Sequence, residues 1–176
     1  MTVARLRLGR TEVLADLLDR HGRDMQAVAY LVLRNHTAAE DAVADALLIA
    51  LDKGRELRDE NAVRAWLLRI VTNRALRMRE RSLRVVELDV AAEATAAPPG
   101  PDRDDLLALW QAVSNLPPRM RAAIGLRYYL DLPIDTVAHV LDVSPNTIKT
   151  QLKSALAHLR RDLAEEGSPL GDPQHA

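Results

Sequence analysis

LPIDTVAHVLDVSPNTIKTQLKSALAHLRRDL, residues Leu132 to Leu163, holds two helical patterns separated by the four-residue break Leu141-Asp142-Val143-Ser144. In the second pattern Ile148, Leu152, Ala155, Leu156 and Leu159 fall on one stripe, the spacing of a helix that buries one face. Asn146, Thr147, Lys149, Thr150, Gln151, Lys153 and Ser154 are left on the other side. Ser144 supplies an N-cap, and Pro145 takes the first helical position, where a missing amide proton costs nothing. Two helices joined by so short a break predict a helix-turn-helix. Short, polar and basic side chains on its second helix suit a DNA major groove: the helix can approach closely, Lys149 can donate to guanine and Gln151 can pair with adenine. The alternative is a helical hairpin with a solvated polar face.

With 176 residues, 48% of them hydrophobic, the chain can bury one sizeable core or two small ones, and its clustered Pro and Gly favour two. The absence of cysteine excludes disulfides and thiolate metal sites. His21, His36, His139, His158 and His175 lack ligand-type spacing, so no metal centre and no nucleophilic triad are expected. No cofactor is expected either, and no constellation of acid, base and nucleophile marks an enzyme. No apolar run approaches the roughly 18 residues of a membrane span, and no signal-peptide pattern opens the chain. A cytoplasmic protein without membrane insertion is the expectation.

The formal net charge of -1 conceals an asymmetry. Acids outnumber bases from Thr11 to Glu60, whereas Arg64, Arg69, Arg74, Arg77, Arg79, Arg81 and Arg84 face Glu80 alone in the next stretch. Non-specific DNA affinity comes from phosphate neutralisation, so a chain this close to neutral has little of it. If it reads DNA, it needs a partner that supplies the remaining affinity.

From Thr11 to Leu33 the apolar spacing predicts a helix to about Arg20, a soft break near Gly22 and a continuation to Leu33. Thr37-Ala38-Ala39-Glu40 matches a capping box, with a helix from Ala38 to about Lys53. On that helix Val43, Ala46, Leu47, Ala50 and Leu51 can face inward, which leaves Asp41, Ala44, Asp45 and Leu48 as an outward strip. Lys53 to Asn61 reads as a loop. The next helix, Ala62 to about Arg84, begins with the apolar stripe Val63, Trp66, Leu67, Ile70 and Val71 and continues it as Arg74, Arg77, Arg81 and Arg84. Spacings of three and four keep those arginines on one face, a basic strip suited to phosphate. Residues 87–104, with Pro98-Pro99-Gly100-Pro101, have linker composition and could extend on the order of 60 Å. A second helical unit follows. It opens at Asp105, breaks at Asn115-Leu116-Pro117-Pro118 and resumes from Arg119 to Leu130, with Leu116, Met120, Ala123, Ile124, Arg127, Tyr128 and Leu130 on its inner face or edges. Residues 167–176 form a tail.

In combination these segments are similar to a known family. AEDAVADALLIAL (Ala39-Leu51), AVRAWLLRIVTNRA (Ala62-Ala75), with its WLxRIxxN core, and Leu116-Leu163 occur in this order across a Pro-rich connection. The chain resembles the compact extracytoplasmic-function class of bacterial sigma factors, within the sigma-70 superfamily, over essentially Leu14 to Leu163. The resemblance implies an all-α protein of two small helical domains: a region 2 bundle at 1–86 and a region 4 helix-turn-helix at 105–166, joined by the flexible linker 87–104. It implies binding to core RNA polymerase, through the clamp of the largest subunit and the flap of the second, and to promoter DNA. By the same likeness Asp41, Asp45 and Leu48 meet polymerase. Arg55, Asn61, Arg64, Asn73, Arg74 and Arg77 meet the separated strand of the -10 element, where the Lys53-Asn61 loop captures a flipped base. Asn146, Thr147, Lys149, Thr150, Gln151, Lys153 and Ser154 read the -35 major groove. Family members are often restrained by an anti-sigma factor, a further partner that the likeness implies.

Several positions depart from the family pattern. Ala44 stands for a usual glutamine, and Leu47 and Leu51 stand for phenylalanine and tryptophan. The capture loop has no aromatic residue, which favours a polar pocket. Pro133 replaces a capping serine. Asp142 replaces the turn glycine, where aspartate tolerates a left-handed backbone better than most residues. Lys149 and Gln151 stand where arginines are frequent, so an unusual -35 sequence is expected. The competing reading is a stand-alone helix-turn-helix regulator, which would bind its operator without polymerase.

Overall fold

The computed structural model describes residues 2–86 and 103–166, which form helices and the turns between them. The expected linker and tail lie outside the described residues, except that residues 103 and 104 open a helix. In chain order the α-helices are α1 (Thr2–Arg7), α2 (Val13–Leu33), α3 (His36–Lys53), α4 (Val63–Val86), α5 (Arg103–Asn115), α6 (Pro118–Ile124), α7 (Ile134–Leu141) and α8 (Pro145–Glu166). Helices α2, α3 and α4 pack mutually as a bundle, and α5 to α8 form the second unit.

Local sequence explains most boundaries, with three corrections. Helix α2 runs through Gly22 without the expected break. A mid-helix glycine costs only about 1 kcal/mol, less than the fully buried Leu17 and Met25 on either side contribute by staying on one helical face. Helix α3 starts at His36 and is capped by Asn35, whose side-chain oxygen accepts from the Ala38 amide at 2.8 Å, so the cap lies two residues before the expected Thr37. After α6 the chain makes one wide π-type turn, Gly125–Tyr129, which inserts an extra residue and shifts the helical register. Leu126 is therefore fully buried, while Tyr128, expected on the inner face or its edge, is exposed.

The helix-turn-helix forms as the spacing predicts. Asp142 takes the left-handed conformation at φ 57° and ψ 49°, and the Val143 amide closes the turn onto the Ala138 carbonyl at 3.1 Å. Ser144 Oγ accepts from the Thr147 amide at 3.1 Å, and Pro145 begins α8.

Both helical units are present, and they are packed on each other. Leu126, Leu130, Leu132, Val137, Val140, Leu141, Ile148 and Leu152 of the second unit share one continuous buried cluster with Leu67, Leu68, Val71 and Leu76 of the first. Helix α7 lies against α4, and α6 lies against α2. A smaller cluster, Ala112, Val113, Leu116, Ala155 and Leu159, ties α5 to α8 within the second unit.

Arg121 sits at the junction, only 2% exposed. Its guanidinium donates to the Val32 carbonyl at 2.9 Å and to the Ser114 carbonyl at 2.7 Å. Those carbonyls belong to the last turns of α2 and α5, where helix dipoles concentrate negative charge. Burial pushes the Arg121 pKa down to about 10, and the positive charges of Arg79 and Arg34 act in the same direction. A cation is held here by helix ends, which satisfy it more weakly than a paired carboxylate would. Replacing Arg121 with Leu leaves the Val32 and Ser114 carbonyls without this donor, a loss of about 2–4 kcal/mol. The unfolding midpoint in urea measures it, and an unchanged midpoint would mean that the junction does not depend on this side chain.

Candidate nucleic-acid interface

On α8, Asn146, Thr147, Lys149, Thr150 and Lys153 are exposed, while Ile148, Leu152, Ala155 and Leu159 are buried beneath them. The Thr147 hydroxyl lies 2.8 Å from Ser144 Oγ, and Thr150 Oγ1 donates to the Asn146 carbonyl at 3.0 Å. Both hydroxyls are thus engaged within their own helix, so the first two turns form a firm polar platform. Gln151, expected on the open face, is half-buried, with its side-chain oxygen enclosed and unsatisfied. It lies at the border of the apolar stripe, next to Leu152. Ser154 is likewise half-buried.

The second candidate surface joins the loop before α4 to α4 itself. Arg55 and Asn61 are exposed on the loop, which is built from two short 3-10 turns, Gly54–Glu56 and Glu60–Ala62. Arg64 is half-buried: its Nε donates to Asp24 Oδ2 at 2.8 Å, and a terminal nitrogen donates to the Leu130 carbonyl of the second unit at 3.4 Å. Asn73 and Arg77 line a polar cleft of about 280 Å³ between α4 and the helix-turn-helix, together with Glu80, Arg119, Leu141 and Asp142. One turn before this cleft Arg69 pairs with Asp142 at 3.3 Å. The basic strip read from the sequence therefore splits. Arg77 faces the cleft, whereas Arg74 turns toward α3 and pairs with Asp45, Nε to Oδ2 at 2.7 Å. The last arginine of the strip, Arg84, has a side chain outside the described residues.

On the outward strip of α3, Asp41 and Leu48 are exposed, Leu48 at 61%. Asp45 is half-buried and committed to Arg74, so the structure joins one residue expected at polymerase to one expected at DNA. The spacing of Asp45 from Leu48 could not reveal this, because the partner lies on another helix.

Sequence reasoning missed the Asp24–Arg64 pair, the Arg69–Asp142 pair and the Arg121 junction, which all join residues distant in the chain. It also missed an aromatic cleft of about 590 Å³ between α2, α5 and the π turn, which Tyr30, Trp110, Tyr128 and Tyr129 line. Tyr30 stacks with His36 and with Trp110, at ring-centroid distances of 4.3 and 5.3 Å. Among the described residues no three metal-ligating side chains cluster, and no helix is long and apolar enough to cross a membrane.

Residues 17–85 match the sigma-70 region 2 family and residues 106–159 match sigma-70, region 4. The chain is 32% identical over 149 residues to the ECF RNA polymerase sigma factor SigM of Mycobacterium tuberculosis, covering 82% of this chain and 74% of that one. It is 24% identical over 154 residues to the RNA polymerase sigma factor SigV of Bacillus subtilis, covering 88% and 93%. Among solved structures, the sigma factor RpoE from Bartonella quintana, in complex with the anti-sigma factor NepR, superimposes with a TM-score of 0.71 at 27% identity. That match covers 88% of this chain and 97% of the other.

The Arg64–Asp24 pair has a titratable neighbour. Partial burial holds the His21 pKa below 6.5; Asp24 opposes this, and Arg64 and Arg20 reinforce it. In mild acid the unfolded chain takes up a proton that folded His21 resists, so stability falls as pH drops through 6.5. Melting temperatures at about pH 7.5 and pH 5.5 should show this decline, with a smaller one in His21→Gln. Equal declines in both proteins would exclude His21 as a source.

Proposed function

This chain belongs to the extracytoplasmic-function RNA polymerase sigma factors, and from that premise we propose how its surfaces divide the work of starting transcription. As an alternative sigma factor it binds core RNA polymerase and directs it to promoters, through a -35 element read as duplex and a -10 element read as separated strand. It works in the cytoplasm, as a DNA-binding regulator and not an enzyme.

The observation that carries the reading is the polar face of α8, displayed over a buried stripe and started sharply by Ser144 and Pro145. Exposed Asn146, Lys149 and Lys153 are the proposed -35 readers, with Thr147 and Thr150 packed close to the groove and Gln151 and Ser154 at its edge. Arg55, Asn61, Asn73 and Arg77 are proposed for the -10 strand, and Asp41 and Leu48 for polymerase. Arg74 and Asp45, paired with each other, are proposed to fasten α3 to α4, so that both neighbouring surfaces keep their relative positions. Flipping a base costs a few kcal/mol, which a fitted pocket offsets only for the right base, so recognition and opening are coupled without ATP.

The closed packing bears on how this happens. Elements 10 and 35 base pairs upstream are about 25 base pairs apart, about 85 Å of duplex at 3.4 Å per base pair. Helix α7 lies directly on α4, so the two units cannot reach both elements until they separate. The contacts to be broken are the shared apolar cluster and the Arg121 bond to the Val32 carbonyl, together with the individually weak Arg69–Asp142 pair and Arg64–Leu130 bond. Core polymerase, by binding the separated units, supplies the difference. An anti-sigma factor, of the kind bound to the Bartonella relative, is the proposed opposing partner.

Run-off transcription with purified core polymerase on genomic fragments tests the reading: specific starts are expected with both components and none with either alone. Tight operator binding by the chain alone would favour a stand-alone regulator instead. Lys149→Ala should lose roughly 1–3 kcal/mol of discrimination at one -35 base pair, whereas an equal loss on every sequence would mean a phosphate contact. Leu48→Arg should weaken co-purification with core polymerase by about tenfold or more, because a charge replaces an apolar contact. Unchanged recovery would remove Leu48 from that surface.

A further inference from the structure

The short helix α1 lies under the loop that precedes α4. Leu6 is fully buried and Val3 nearly so, and the last turn of α1 meets the start of the loop at Gly54. A Cβ on Gly54 would lie 2.8 Å from Leu6 Cβ, 2.9 Å from the Leu6 carbonyl oxygen and 3.0 Å from its carbon. Two of those atoms are backbone, so no rotamer change relieves the contact. Gly54 has an ordinary φ of -58°, which makes close approach, and not conformational freedom, the use of glycine here.

The other end of the loop reaches the same helix. Glu60 Oε1 accepts from the Val3 amide at 2.8 Å, so a side chain 57 residues away caps the first turn of α1. Between these anchors Leu57 is buried, at 6% exposure. Asp59 accepts from the Asn61 amide at 2.9 Å, which holds the second short turn. Gly54, Leu57 and Glu60 thus recur every third residue as anchors, and Arg55, Arg58 and Asn61 recur every third residue as exposed side chains. The Arg5–Asp16 ion pair, 2.7 Å long, ties α1 in turn to α2.

We propose that α1 is a positioning element for promoter specificity: through Gly54 and Glu60 it presets the 54–62 loop, so that Arg55, Arg58 and Asn61 meet the -10 strand in one fixed arrangement. The inference rests on the sigma-factor reading of this loop and adds to it the element that orders the loop. A preset loop meets its strand without first having to be ordered, and its preference among bases depends on that fixed geometry. Glu60 itself acts through α1 and need not touch DNA.

The test uses the full chain with core polymerase, a promoter mapped by run-off transcription and a library of that promoter with randomised -10 bases. Sequencing the transcripts gives the discrimination ratio. Glu60→Ala should lower discrimination among -10 sequences by about fivefold to tenfold. Glu60→Gln, which keeps an acceptor for the Val3 amide, should stay within about twofold of the parent. Gly54→Ala, which forces α1 and the loop apart, should resemble Glu60→Ala. Holoenzyme binding to a duplex carrying only the -35 element should be unchanged in all three. Parental discrimination by both Glu60→Ala and Gly54→Ala would overturn the proposal. A Glu60→Gln loss as large as that of Glu60→Ala, or a parallel loss on the -35 duplex, would overturn it too. If the parent chain itself failed to start transcription with core polymerase, the sigma-factor reading would fall, and this inference with it.

Discussion

A buried cation whose guanidinium donates to backbone carbonyls is tolerated at the junction of this molecule because two helix C-termini converge on it. Arg121 bridges the last turns of α2 and α5, and in doing so fastens a helix of the second unit to one of the first. Desolvating a guanidinium is costly, and neutral carbonyls return less of that cost than an acid would. Around it lie large apolar side chains from both units in one continuous cluster. The interface combines a substantial hydrophobic contribution with a desolvated polar centre. Apolar burial thus carries most of the junction, with Arg121 as its polar centre.

That balance matters because the faces proposed for DNA are not equally available. The polar face of α8 is open in the closed arrangement, whereas Asn73 and Arg77 of α4 look into a cleft whose far wall is the helix-turn-helix. The surface proposed for the -35 element is therefore open while the one proposed for the -10 strand is partly covered. A nearly neutral chain that keeps its proposed strand-binding face against itself has little reason to bind DNA alone. Dependence on polymerase follows from packing as well as from charge.

The half-buried ion pairs of the first unit show the same economy of parts. Arg64 and Arg74, both expected at DNA, are held by Asp24 and Asp45, and each pair stitches α4 to a neighbouring helix. Helix α1 extends the pattern to the loop, clasping it at Gly54 and Glu60. Among the described arginines of α4, Arg64, Arg69 and Arg74 are ion-paired. Several define where the exposed ones sit.

The all-α class, the break at Leu141-Ser144, the N-cap at Ser144, the left-handed turn at Asp142 and the buried stripe of α8 were written in the sequence, because each depends on residues within a few positions of one another. Periodicity and capping are local physics, and a family likeness adds order to them. Tertiary structure alone decided the rest. It carried α2 through Gly22, turned Tyr128 outward at the π turn, joined Asp45 to Arg74, buried Arg121 and laid α7 on α4. Each of these is an outcome of contact between segments dozens of residues apart, and spacing along a single helix contains no term for a partner on another.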